Sequence, residues 1–499
     1  MKQRFFQKRF ASHFAFIMSI ALILGATMHP EIAVGKEINA EKYIKMLDRR
    51  AEKIKKQIRQ TKSKIEVTGK TYYVSTDGND YNDGLTPNSP IKSIDKVNSL
   101  RLNAGDAVLF NRGGLWRGHI KSQAGVTYSA YGKGEKPKIY GSPCDAAKEG
   151  VWRETETKNV WVYEREIAED IGTLVFNSGE ACAFKVMKIT QENGPSLHIK
   201  TKEKFESYRD LKRDLEFYHD YKEAKRVYLY SAKGNPAERF ESIELLTKGH
   251  IIQANDNIVV DNLCLKYCGS HGIGSGTTKG LTVTNCELGW IGGSIQAEGI
   301  FGRNHPTRYG NAIEIYGACD FYLVDNCYIY QVYDAAITHQ HQGDGTNALT
   351  MKDITYSNNL VEDCVYSIEY FLGYPRHEGL THKMYNIVMC NNLLRRTGEG
   401  WGKQRPDITP IAQIKSWAHY NPASDFVIRD NVFDRSTHHL LNIDAGKTDW
   451  LPTLKNNVYI QYKDAKGVDC KGSYKFDENI GKHLKELYNE DNATIIFVE

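Results

Sequence analysis

Apolar residues along this chain of 499 residues come in short runs. Between 309 and 342 the sequence reads YGNAIEIYGACDFYLVDNCYIYQVYDAAITHQHQ, with β-branched and aromatic runs at 312–316, 321–324 and 335–339. Gly, Asn and Asp separate these runs too closely to admit a helix, so the stretch predicts three short strands making up one coil. Similar coils lie on either side, each with an Asn at one corner: Asn262, Asn285, Asn326, Asn359, Asn392, Asn431 and Asn457. The steps between them are 23, 41, 33, 33, 39 and 26 residues, as a turn plus an insertion of variable length would give. Such self-similarity marks a solenoid or a propeller. The chain lacks the repeated Gly-His or Trp-Asp signature of propeller blades. Three short strands per repeat fit an all-β fold, a parallel β-helix whose like residues stack about 4.8 Å apart. The seven Asn side chains are then expected to stack at one corner and bond one another along the axis.

The pattern also divides the chain. Residues 1–35 carry a basic start (Lys2, Arg4, Lys8, Arg9), a short apolar core and small residues at a cleavage position. They are expected to be a signal peptide, which places the mature protein outside the cytoplasm. An uncleaved anchor would need about 20 apolar residues, more than this run supplies. Residues 36–66 have apolar positions at helical spacing (Tyr43, Met46, Leu47, Ile54) among many charges. They predict a solvated amphipathic helix acting as a spacer. Residues 67–150 read as an N-terminal cap and first coils, 246–465 as the main β-helix, and 466–499 as a C-terminal cap segment. The Asn repeat is missing from 151–245, where strands at 160–163, 174–176 and 226–229 accompany a charged helical stretch at 203–214. This predicts a small, mostly β inserted domain.

The opening from Tyr72, YYVSTDGNDYNDGLTPNSPIKSIDKVNSL, then GDAVLFNRGGLWRGHI and KPKIYGS, resembles that of right-handed parallel β-helix proteins of the pectate-lyase-like superfamily. Many of those are secreted polysaccharide-degrading enzymes, and the glycoside hydrolases among them often carry an insertion beside the substrate cleft. The resemblance spans roughly 70–460, and its motifs are architectural. It implies carbohydrate chemistry and leaves the reaction open.

Candidate chemistry comes from the coils. Aligning inward Ile313, Ile337, Ile368, Ile414 and Ile443 puts Glu314, Thr338, Glu369, Lys415 and Asp444 in one outward column. Four of these five are ionisable, and stacked charges are costly unless they do something. Two coils put Glu314 about 9.6 Å from Glu369, near the gap an inverting glycosidase leaves for its water. Asp334, His339 and His341 crowd one coil of the column, Trp401 and Trp417 can stack on sugar rings, and Arg405 follows in GWGKQRPD. The bland alternative is solvated surface, with His339 at inward parity. The expected catalytic set is Glu369, Glu314, Asp334, Asp444 and Lys415; the expected substrate-binding set is His339, His341, Arg405, Trp401, Trp417 and Gln340. A carboxylate beside the Lys415 ammonium should keep a low pKa, making Glu369 base or nucleophile and Glu314 or Asp334 the acid.

A glycoside hydrolase leads these readings. A polysaccharide lyase, with Lys415 as base and Arg405 or calcium neutralising a uronate, and a non-catalytic glycan-binding surface protein remain alternatives. No cofactor is required, and calcium enters only with the lyase. The formal net charge of +4 and the absence of a basic block give no sign of nucleic acid or of membrane contact beyond the signal segment. A monomer acting on a polysaccharide or oligosaccharide is expected. GIGSG at 272–276 reads as a tight turn, and Asp77, Asn79, Asp80 and Asp83 read as Asx turns before a calcium loop. The ten cysteines, with Cys286 and Cys327 directly after a corner Asn, are expected to be mostly buried free thiols.

Overall fold

The computed structural model describes residues 39–149, 151–298, 303–406, 410–417 and 421–499. The expected signal peptide lies outside the described residues. Three sheets of ten strands each run the length of the molecule. The chain passes from one to the next within each coil, as in Tyr322–Asp325, Tyr328–Val332 and Ala335–His341. Every pairing within the three sheets is parallel except the last of the third sheet, between Lys466–Asp469 and Ser473–Lys475. This is a right-handed parallel β-helix, the hand that strand twist imposes on parallel crossovers. Its interior is one continuous apolar core, with Ile313, Ile337, Ile368, Ile414 and Leu441 stacked at 0% exposure.

The Asn repeat resolves into two neighbouring columns at one corner. Asn262, Asn285 and Asn326 share a left-handed backbone (φ 60°, 55° and 52°) with Asn358, Asn391, Asp430 and Asn456. Asn tolerates that conformation better than most residues. One position later, Leu263, Cys286, Cys327, Asn359, Asn392, Asn431 and Asn457 point inward, each just ahead of a strand of the second sheet. Asn359 donates its amide to Asn392 at 3.0 Å, Asn392 to Asn431 at 3.0 Å, and Asn431 to Asn457 at 3.1 Å. The single ladder of seven expected above is therefore two ladders set one residue apart. Cys286 and Cys327 fill the buried Asn column, and all ten cysteines are free.

The helix Ala40–Gln60 is docked rather than a solvated spacer. Its Tyr43, Leu47, Ala51 and Ile58 pack on Tyr328, Leu360, Leu393, Val432 and Val458 of the second sheet. Lys55 pairs with Glu362 at 2.7 Å and Arg59 with Glu287 at 2.8 Å, which anchors the polar flank. At the other end the coils run past 465, since Thr494–Val498 pairs in parallel with Val458–Tyr462. In the Asp77–Asp83 loop, Asn79 and Asp83 accept backbone N–H groups two residues on, as Asx turns do.

The second coil is interrupted between Lys138–Tyr140 and Ile252–Gln253 by short sheets of three, five and two strands. The stretch 203–214 holds only a 3₁₀ turn, Tyr208–Asp210, where a helix was expected. Ser207 and Asp210 form a capping box that closes this turn locally, and Leu211 ends it in extended backbone. The insertion sits tightly on the coils. Asp170 accepts the Ile295 N–H at 2.6 Å, and a Cβ on Gly172 would stand 2.2 Å from the Gly292 carbonyl. Arg308 donates to Gly293 at 2.6 Å and to Gly172 at 2.9 Å, tying the two together. The insertion thus flanks the edge where strands of the third sheet begin.

Candidate active site

In the third sheet, Glu314 pairs with Thr338, Thr338 with Glu369, and Glu369 with Lys415, so four members of the expected column stand on adjacent strands. The fifth does not. Lys415 pairs with Asn442 and Ile414 with Leu441, while Asp444 lies exposed beyond the strand His439–Asn442. Leu441 and Ile443 have the same parity, so the inward pattern alone could not fix which of them continues the stack.

Although the column points outward, Glu314 is 7% exposed and Glu369 5%. Asn311 and Gln340 both donate to Glu314 Oε2, the latter at 2.8 Å. Burial, with the charge of Asp334 added, outweighs these donors and pushes the Glu314 carboxyl up to about 7. Glu369 is pushed further, to about 8, by burial and by Asp334, against the pull of Arg405 and a hydrogen bond with Trp417. Thr338 stands between the two carboxyls, fully buried, and its hydroxyl has no hydrogen-bond partner among the described residues. An orphaned buried hydroxyl costs about 1–3 kcal/mol, as expected of a site built for something other than stability.

Glu369 therefore does not keep the low pKa expected beside Lys415. The ammonium makes its bonded contacts elsewhere, donating to Asn442 Oδ1 and lying 4.1 Å over the Trp417 ring. Burial in turn lowers the Lys415 ammonium to about 8. The carboxylate with a bonded cation is Asp334, at the start of the middle strand, 2.5 Å from Arg405.

The expected substrate-binding residues divide. Gln340, Arg405 and Trp417 (36% exposed) gather around the carboxyls. His341 sits at the far end of the same strand beside Tyr316, its ring centroid 4.9 Å away, with Nδ1 accepting the Gly343 N–H at 2.9 Å. Two others are core residues. His339 is 0% exposed, 2.8 Å from the Tyr356 hydroxyl and stacked on Tyr370. Trp401 is 3% exposed, donates to the Gln331 carbonyl at 2.8 Å and packs on Tyr333, so no sugar can reach its face.

Sequence reasoning missed His250 and His271, which close the other side of Glu314. His271 Nε2 lies 3.4 Å from Glu314 Oε1, and the His250 ring covers Gly274, the residue paired with Glu314 in the column. GIGSG is accordingly no turn: Ile273–Ser275 is a strand of the third sheet. Among the described residues no three His, Cys, Asp or Glu side chains are grouped to hold a metal ion. Neither a recess of about 520 Å³ under the N-terminal helix nor one of about 230 Å³ beside the insertion is lined by Glu314 or Glu369.

No protein-family model matches the chain. An alignment over 82 positions, covering 14% of the chain, is 42% identical to part of a lacto-N-biosidase of Bifidobacterium longum subsp. longum. The chain spans 5% of that protein's length. Among solved structures, a lacto-N-biosidase from Eubacterium ramulus is 12% identical, with 92% of this chain and 71% of that one covered and a TM-score of 0.38. XylC in complex with xylose is 12% identical over 86% of this chain and 82% of its own, with a TM-score of 0.44. A rhamnogalacturonan lyase is 9% identical over 79% and 74%, with a TM-score of 0.40. The parallel β-helix is defined by the chain's own three sheets.

Proposed function

We propose that the protein is a carbohydrate-active enzyme working outside the cytoplasm, a glycoside hydrolase that cleaves a polysaccharide or oligosaccharide with Glu369 and Glu314. The observation that carries this reading is a pair of buried carboxyls on one face, one strand apart from a shared neighbour and without a bonded cation of their own. Left unpaired, such groups cost stability, so a role in chemistry accounts for them better than decoration does. The stretch 42% identical to part of a lacto-N-biosidase supports the same substrate class.

Glu369, held neutral up to about pH 8, is the general acid and gives its proton to the departing glycosidic oxygen. Glu314, the more acidic of the two, takes a proton from the water that adds to the anomeric carbon. Both carboxyls are thus exchanged in protonation and reset through solvent. Two strand spacings, about 9.6 Å between the Cα atoms, leave room for a water between the carboxyls of acid and base. Trp417 offers its exposed face to a sugar ring.

Elimination is the second reading, favoured by Lys415, a buried amine whose pKa of about 8 suits a base. Its commitment to Asn442 and the Trp417 ring ranks it lower. A panel of glycans separates the two: new reducing ends without the ultraviolet absorbance of an unsaturated uronate mean hydrolysis, and both together mean elimination. No product from any glycan would leave a binding protein.

A further inference from the structure

Glu314 has one oxygen engaged and one facing imidazole. Oε2 takes the donors of Asn311 and Gln340, while Oε1 faces His271 Nε2 at 3.4 Å. The ring of His271 is fixed from behind. Its Nδ1 accepts the Asn311 N–H at 3.0 Å, so the neutral ring carries its proton on Nε2, the nitrogen aimed at Glu314. The backbone N–H of His271 donates to His250 Nδ1 at 3.3 Å, and the two rings lie 5.0 Å apart. A Cβ on Gly274 would stand 3.2 Å from the His250 ring, so a glycine in the column admits that ring beside Glu314.

We propose that His271 is a positioning residue for Glu314, a neutral imidazole whose Nε2–H is presented to Oε1 and keeps the carboxylate turned along the column toward Thr338 and Glu369. This rests on the reading of Glu314 as one of the two working carboxyls. Burial lowers both imidazoles to about 4, so His271 acts as an uncharged donor across the neutral range. The other groups facing this pair are Asp334, Glu369, Tyr309 and Tyr316 at the site, Tyr322 from the core, and His119 behind His250.

The test is the titration of Glu314 in the full chain, read as the infrared carboxyl signal of the parent minus that of Glu314→Gln. In His271→Asn, the amide oxygen can still accept the Asn311 N–H, but no atom reaches Oε1. In His271→Gln, the longer amide restores a donor there. The Glu314 midpoint should rise in His271→Asn by on the order of one pH unit, the effect of losing one hydrogen bond to a charged group, and return in His271→Gln. Equal midpoints in all three proteins overturn the proposal. Should His271→Asn fold poorly, nitrogen-15 imidazole spectra of the parent and Glu314→Gln decide: the ring that responds must carry its proton on Nε2, and an Nδ1–H tautomer overturns the proposal. Glycan cleavage by Glu314→Gln is a separate measurement. Retained activity there removes Glu314 from catalysis, while the titration still reports whether His271 holds it.

Discussion

Arg405 Nη1 lies 2.5 Å from Asp334 Oδ1, and that ion pair acts on the Glu369 carboxyl in opposite senses, the anion raising its pKa and the cation lowering it. Replacing Arg405 by Gln should therefore move the alkaline limb of the pH–rate profile upward, because the Asp334 charge then acts on Glu369 unopposed. Breaking a largely buried pair also costs about 3–5 kcal/mol of stability. An alkaline limb that stays in place would show that Glu369 does not set it.

Glu369→Gln and Glu314→Gln should each lose at least ~10²-fold in turnover, the usual contribution of a positioned acid or base. Both variants keep the shape of the side chain, so near pH 4.5, where ionisation of the unfolded chain costs little, their melting temperatures should stay near that of the parent. A variant that melts like the parent yet retains more than about a tenth of its activity would mark that carboxyl as idle.

Stability should fall as pH rises from about 4.5 to about 8. The Glu369 carboxyl has an ordinary value of 4.5 and is pushed to about 8 in the folded protein. Below 4.5 both states are protonated and the group takes nothing from stability. Above it the unfolded chain ionises while the folded one does not, which favours unfolding until the folded carboxyl ionises as well. Denaturant midpoints at pH 5 and pH 8 should therefore differ less in Glu369→Gln than in the parent; an equal difference would place Glu369 in an ordinary solvated setting.

Trp417 and Trp401 should part company on truncation to Ala. Trp417→Ala removes a partly exposed ring over the Lys415 ammonium and should raise KM for a cleaved glycan at little cost in stability. Trp401→Ala empties a packed site against Tyr333 and Trp290 and should cost about 3–5 kcal/mol. Thermal melts beside steady-state kinetics tell the two apart.

Much of the fold was legible because its period is enforced by stacking. Glu314, Thr338, Glu369 and Lys415 stand in the register that their inward isoleucines imply. Slips came where two positions satisfy the same rule. An Asn is favoured both at the left-handed corner and in the buried column beside it, so Asn326 and Asn359 look equivalent in sequence and differ by one residue in space. His339 and Trp401 carry chemistry-bearing side chains into the core, which residue type alone does not reveal. His271 lies ahead of its strand, outside the alternation; the one trace of its neighbour is Gly274, where the column lacks a side chain. The sign of the Glu369 shift is set by burial and by the Asp334 charge, and the spacing encodes neither.

The buried Asn column has a direction. Each amide donates onward to the next coil, and Asn457 passes the last bond to the Glu490 carboxylate at 2.8 Å. At the start, the Cys327 N–H feeds the Asn359 oxygen at 2.9 Å. A chain of one-way donors needs an acceptor-only terminus and nothing special in its middle, so the molecule could lengthen or shorten by whole coils there without a new interior chemistry. Only the terminator has to travel with the final coil, which makes Glu490 the fixed end-stop of an otherwise extensible protein.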